Sequence, residues 1–127
     1  MDCLVMAGVL YVVATPIGNL EDFSRRGASI LGSVATIAAE DTRRTRVLLE
    51  AIGVAGASLV ALHTHNEAAV SADLVSRLRA GDDVALVSDA GTPLVSDPGF
   101  ELVRACWDAG LDVRPVPGAS AVAARPQ

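Results

Sequence analysis

The chain has 127 residues, ten of them basic and fifteen acidic, for a net charge of −5 at neutral pH. It is 51% hydrophobic and only 3% aromatic, which excludes a disordered chain and suits one α/β domain rich in alanine, valine and leucine. The acidic balance excludes a generally basic nucleic-acid surface, so any such role must rest on a local patch or on sequence beyond this chain.

Short β-branched runs alternate with helical patterns throughout. Residues 9–14, "VLYVVA", read as a buried strand. A helix is expected over about 24–31 and a strand over 34–39. The second helix starts near Asp41 and ends at Gly53, with Val47, Leu48, Ala51 and Ile52 on its apolar face. After a strand at 58–62, a third helix over about 67–80 buries Ser71, Leu74, Val75 and Leu78, and Gly81 stops it. A strand at 83–87 leads to a fourth helix over 98–109. That helix opens with proline in its first turn and carries Glu101, Arg104 and Asp108 as a wet stripe. The last strand covers 112–116. Strict alternation predicts a mostly parallel five-stranded sheet with helices on both faces.

The opening residues, "MDCLVMAGVLYVV", lack the basic start and cleavage site of a signal peptide, and no apolar run approaches a membrane span. A cytoplasmic domain with no membrane partner is expected. Cys3 and Cys106 make neither a disulfide framework nor a metal-ligand pair.

Sheets of this kind take ligands at the carboxyl ends of their strands. Four polar clusters fall there: "TPIGNLED", "EDTRRT", "HTHNE" and "SDAGTPLVSDPG". The first lacks the three glycines of a dinucleotide fingerprint, and a chain whose basic residues are all arginine has no Walker lysine. NAD and ATP are therefore poor guesses. In the second cluster Asp41 or Thr42 can cap the helix. Arg43, Arg44 and Arg46 then crowd its first turn, where the macrodipole disfavours cations by a few tenths of a kcal/mol each. Either this is an ordinary wet helix face, or the arginines and free helix N–H groups form a phosphate cradle.

"HTHNE" sets His63, His65 and Glu67 at period two, on one side if the strand continues. With no further ligand evident, polar groups facing a substrate cleft are the preferred reading over a metal. The fourth cluster offers backbone N–H groups around Gly91 and Thr92, stiffened by proline, which suits a nucleotide-like ligand. The plain alternative is a structural loop in which Asp97, before Pro98, caps the next helix.

Taken in order, "LYVVATPIGNLED", "IAAEDTRRT", "HNE", "ALVSDAGTPLVSDPG" and "VPGASA" resemble the tetrapyrrole-methylase superfamily from about Gly8 to Ala121. Within it the chain resembles the bacterial branch that methylates a cytidine 2′-hydroxyl of small-subunit ribosomal RNA. The resemblance implies a two-domain α/β enzyme that binds S-adenosylmethionine in the cleft between its domains. It sets Pro16 and Gly18 near the cofactor, Asp89, Ala90, Gly91, Thr92 and Val95 on the central cofactor loop, and Ser120 and Ala121 on a third segment.

Asp41, His65 and Glu67 become candidates for a catalytic base or for orienting the substrate, and Arg43 and Arg44 for contacts to RNA phosphates. The implied partner is ribosomal RNA of the small subunit, in a locally unpaired strand. A homodimer of the full-length enzyme is compatible with the resemblance. Against the family pattern, residues 1–127 read as the amino-terminal domain, residues 1–5 as an extension, and the second domain as absent after "VAARPQ". The alternatives are a tetrapyrrole (precorrin-type) methyltransferase and a folded but catalytically silent fragment.

Overall fold

The computed structural model describes residues 6–14, 25–63, 65–88 and 99–116. In chain order it has β1 (Val9–Ala14), α1 (Arg25–Ser33), β2 (Thr36–Ala39), α2 (Thr42–Ala51), β3 (Ser58–Ala61), α3 (Glu67–Arg79), β4 (Val84–Ser88), α4 (Phe100–Asp108) and β5 (Asp112–Val116). The five strands form one sheet in the order β3-β2-β4-β1-β5, and every pairing is parallel. The expected α/β class and parallel sheet are what the chain adopts.

Side chains alternate between the two faces of each strand, and each face has its own core. On one, Leu10, Val12, Ala38, Val84 and Leu86 pack under Leu74 and Leu78 of α3 and Leu102, Val103 and Cys106 of α4. On the other, Val13, Ile37 and Ala85 pack under Leu31 of α1 and Leu48 and Leu49 of α2. Helices α1 and α2 thus cover one face, and α3 and α4 the opposite one. The central strand β4 sends its chain to one face while its two neighbours, β1 and β2, send theirs to the other. Such divergence opens a crevice at the carboxyl edge of a doubly wound sheet.

Three helices end in the same way. Gly53, Gly81 and Gly110 follow the C-caps of α2, α3 and α4 with φ of 76, 108 and 75°. The N–H of each donates to the carbonyl three residues back, and the next residue's N–H to the carbonyl five back. This double closure needs a left-handed residue, so glycine supplies the stop.

Several boundaries differ from the sequence reading. β2 starts at Thr36 rather than residue 34, because the Val34 N–H still donates to Ile30 O and prolongs the turn of α1. On α2 the buried stripe is Thr45, Leu48 and Leu49 with Ile52 packed beside it, whereas Val47 is 57% exposed. Positions 45, 48, 49 and 52 form the complete i, i+3, i+4, i+7 stripe, and the Thr45 hydroxyl is satisfied by donating to Asp41 O, so a polar residue can join it. The α3 stripe is as expected for Ser71, Leu74 and Leu78, while Val75 lies at its half-buried margin.

α4 begins at Phe100 behind the N-cap Gly99, two residues later than the expected start at residue 98. Asp97 and Pro98 lie outside the described residues, as do residues 1–5, Cys3 and Ser24. The expected wet stripe of Glu101, Arg104 and Asp108 is exposed.

Candidate ligand-binding edge

Strand register levels the edge. Ala61 pairs with Ala39, Ala39 with Val87, Val87 with Val13, and Val13 with Val116, so one line crosses all five strands. At about 4.8 Å between neighbours, the segments that follow leave within a band roughly 20 Å wide. The polar clusters read from the sequence all begin on this edge. The residues expected to touch a cofactor there, Pro16, Gly18, Asp89, Ala90, Gly91, Thr92, Val95, Ser120 and Ala121, lie outside the described residues.

Among the described residues the edge is built from helix starts. Asp41 is the N-cap of α2, and its Oδ1 accepts from the N–H groups of Arg43 and Arg44 at 3.1 Å each. Those are two of the donors that a helix start leaves open. Two N–H groups of the expected cradle are therefore taken by a side chain. Arg43, Arg44 and Arg46 are exposed.

After β3 the chain does not continue as a strand. The Leu62 N–H still donates to Ala39 O at 2.9 Å, and then the chain turns. Asn66 closes the turn: its Oδ1 accepts from the His63 N–H at 2.9 Å, and its Nδ2 donates to Ala61 O at 3.0 Å. The period-two alignment of His63, His65 and Glu67 is lost as a result, because a turn separates the histidines from a residue that already belongs to α3. His63 and His65 are exposed, with ring centroids 6.3 Å apart in an edge-to-face arrangement. Among the described residues no group of three or more histidine, cysteine, aspartate or glutamate side chains is arranged to hold a metal ion.

Glu67 has the connection that sequence reasoning missed. Its Oε2 accepts from the N–H of Gly99 at 2.9 Å and from the N–H of Glu101 at 3.0 Å. Glu67 thus caps α4 from the first turn of α3. One turn further along α3, the Ser71 hydroxyl is buried with no hydrogen-bond partner among the described residues. A signal for the cap existed: a helix led by glycine, which has no side chain to accept a bond, needs an acceptor from elsewhere. Only the fold reveals which one.

At the opposite edge the site is underpinned. The Val9 N–H donates to Asp83 Oδ1 at 2.8 Å, and the Gly8 N–H to Leu78 O at 2.7 Å, which fixes β1 against the turn into β4. Among the described residues no helix is long and apolar enough to cross a membrane.

This fold and edge define a doubly wound α/β domain with a topological switch point at the carboxyl ends of its strands. Residues 9–126 match the family described as Tetrapyrrole (Corrin/Porphyrin) Methylases, and the chain belongs to that family. It is 56% identical over 117 residues to Ribosomal RNA small subunit methyltransferase I of Xylella fastidiosa, covering 92% of this chain and 42% of that protein. The protein of the same name from Pasteurella multocida is 53% identical, over 91% of this chain and 41% of its own length. The chain therefore spans about two-fifths of the length of these curated relatives. Among solved structures, uroporphyrin-III-C-methyltransferase from Thermus thermophilus superposes with a TM-score of 0.63 at 25% identity, over 87% of this chain and 46% of that one.

Proposed function

We propose that the chain is the amino-terminal, cofactor-binding domain of an S-adenosylmethionine-dependent methyltransferase that acts on a cytidine 2′-hydroxyl of small-subunit ribosomal RNA. The identity above one half to ribosomal RNA methyltransferases carries this reading. The much lower identity to the porphyrin enzyme favours RNA over a tetrapyrrole as substrate. The chemistry of the edge fits the cofactor. A carboxylate closes the described start of α4, which suits a ligand bearing a sulfonium cation there better than one bearing phosphates.

S-adenosylmethionine, when bound, supplies an electrophilic methyl group. The protein's part is alignment, which in favourable systems contributes about 7–11 kcal/mol. A base for the hydroxyl proton adds roughly 10²–10⁴ in rate. We assign that base to His65, which is exposed at the edge. Asp41 and Glu67, each with one oxygen engaged by two backbone N–H groups, orient the segments around it. Arg43 and Arg44 contact RNA phosphates, with Arg43 the principal contact through its two-pronged guanidinium. The segments after β1, β4 and β5 hold the cofactor, a second domain supplies the other wall of the cleft, and the enzyme works in the cytoplasm beside its ribosomal substrate.

Tritium transfer from labelled S-adenosylmethionine to small ribosomal subunits tests the proposal. A fusion of this chain to the remaining length of the Xylella relative is expected to methylate the RNA, and the 127-residue chain alone is not. A folded fusion that transfers no label would overturn the activity. Full turnover by the chain alone would overturn the two-domain reading.

A further inference from the structure

Helices α3 and α4 follow parallel strands, lie on the same face and both start at the ligand edge. Their positive dipole ends therefore meet there, in the setting where α/β proteins commonly hold a phosphate. Here the anion is part of the chain. Glu67 Oε2 takes the N–H groups of Gly99 and Glu101, 32 and 34 positions away, at 2.9 and 3.0 Å. Gly99 is buried and left-handed at φ 105°, and as the N-cap it offers no acceptor of its own. Glu67 also stands in the first turn of α3, so one carboxylate compensates the starts of two helices. Glu101 adds a second negative charge in the first turn of α4.

We propose that Glu67 is a specificity determinant: it occupies the anion position at the start of α4 and excludes a ligand's phosphate from that position. A phosphate approaching Gly99 meets a carboxylate already hydrogen-bonded to the donors it needs. A neutral or cationic ligand meets no such barrier. The inference deepens the methyl-donor reading and rests on it for the identity of the admitted ligand, whereas the excluded class follows from the geometry alone.

Amide spectra of the nitrogen-15-labelled 127-residue chain test it, with inorganic phosphate and S-adenosylmethionine titrated separately. In the wild type, millimolar phosphate is expected to leave the Gly99, Phe100 and Glu101 amides unmoved. In Glu67→Ala the same amides should shift, with an apparent phosphate affinity at least about tenfold above the wild type. Glu67→Gln, which keeps an acceptor and loses the charge, should respond between the two. Phosphate binding at these amides in the wild type, or its absence from both variants, would overturn the proposal. If Glu67→Ala loses its dispersed spectrum, Glu67→Gln decides alone: a phosphate shift there and not in the wild type supports the proposal, and equal behaviour overturns it. Should the phosphate results come out as expected while S-adenosylmethionine perturbs nothing, the methyl-donor reading fails and the exclusion of phosphate stands.

Discussion

The Glu67 carboxylate and the Gly99 N–H, 32 positions apart in sequence, meet at 2.9 Å and tie the first turn of α3 to the first turn of α4. Both helices begin where the sheet presents its ligand edge, so this one contact fixes the spacing of two walls. A helix capped by its own N-terminal side chain would be free to shift as a unit. One capped by its neighbour moves only with that neighbour. The contact is therefore both a stability element and a geometric constraint on the segment entering α4.

The first prediction concerns that stability. Losing an N-cap costs about 0.5–2 kcal/mol, and a hydrogen bond to a charged group about 1.5–3. Glu67→Ala should lower the unfolding free energy of the chain by roughly 2 kcal/mol, read as a lower urea midpoint with an unchanged slope. Glu67→Gln should lose about half as much, since an amide oxygen still accepts but carries no charge. Equal stability of wild type and Glu67→Ala would mean the carboxylate is exchanged for water without loss.

The second prediction concerns Gly8, where the chain enters β1. A Cβ built on Gly8 would lie 1.9 Å from Asp82 O, a backbone atom that no rotamer change can move. Gly8→Ala should therefore force β1 away from the turn into β4, weakening the bonds from the Gly8 N–H to Leu78 O and from the Val9 N–H to Asp83 Oδ1. Overpacking of this kind costs about 1–3 kcal/mol or more. Gly56→Ala is the control: its φ is positive, at 99°, unlike that of Gly8, and nothing lies within 4 Å of the added carbon. It should cost only the backbone strain, about 1–2 kcal/mol. Thermal denaturation of the two variants separates steric from conformational loss.

Local signals carried most of this fold. The β-branched runs, the glycine stops at Gly53 and Gly81 and the wet stripe of α4 follow from rules that act within a few residues, and the alternation they produce leads to a parallel sheet. The order β3-β2-β4-β1-β5 was not legible, because it depends on which strands meet after the helices fold back. The face of α2 was misread at Val47 and Ala51, both exposed, because two overlapping stripes share Leu48 and Ile52. The buried, hydrogen-bonded Thr45 decides between them, and sequence polarity argues against that residue. At the edge, Asp41 as a cap was legible from its position before the helix. The reach of Glu67 to Gly99 was not, since it requires α3 and α4 to be neighbours first.

A third prediction follows from Cys106. Its side chain is fully buried on the inner face of α4, and burial raises its pKa from 9.0 to about 11. In a Cys3→Ser background the folded chain should resist thiol reagents at pH 8 and react only as it unfolds. The linkage has a definite sign. Between pH 9 and 11 the unfolded chain has lost the thiol proton while the folded chain retains it, so stability falls as pH rises through that window. The loss attributable to this group is on the order of 2–3 kcal/mol by pH 11 and absent below pH 8. Cys106→Ala should flatten that alkaline limb; an unchanged limb would assign it to other groups.

The last prediction concerns Arg43 and the acidic balance. A chain with a net charge of −5 does not draw in RNA by its overall field, so binding must rest on local cations. At the start of α2 the main-chain donors of Arg43 and Arg44 are already taken by Asp41, so a phosphate contact there falls to a side chain, and the exposed Arg43 is the one tested. Each phosphate contact contributes roughly −0.7 to the slope of log affinity against log salt on a single strand. In the fusion with the Xylella relative's remaining length, Arg43→Ala should weaken RNA binding and flatten that slope by about 0.7, with affinity for S-adenosylmethionine unchanged. Arg79→Ala makes the same change in net charge at the last turn of α3, away from the ligand edge, and should leave the slope as it was. Arg43→Lys should keep the slope and lose part of the affinity, because an ammonium neutralises a phosphate without the two-pronged grip. If Arg43→Ala and Arg79→Ala shift the slope equally, the effect is one of overall charge, and Arg43 is an ordinary solvated arginine.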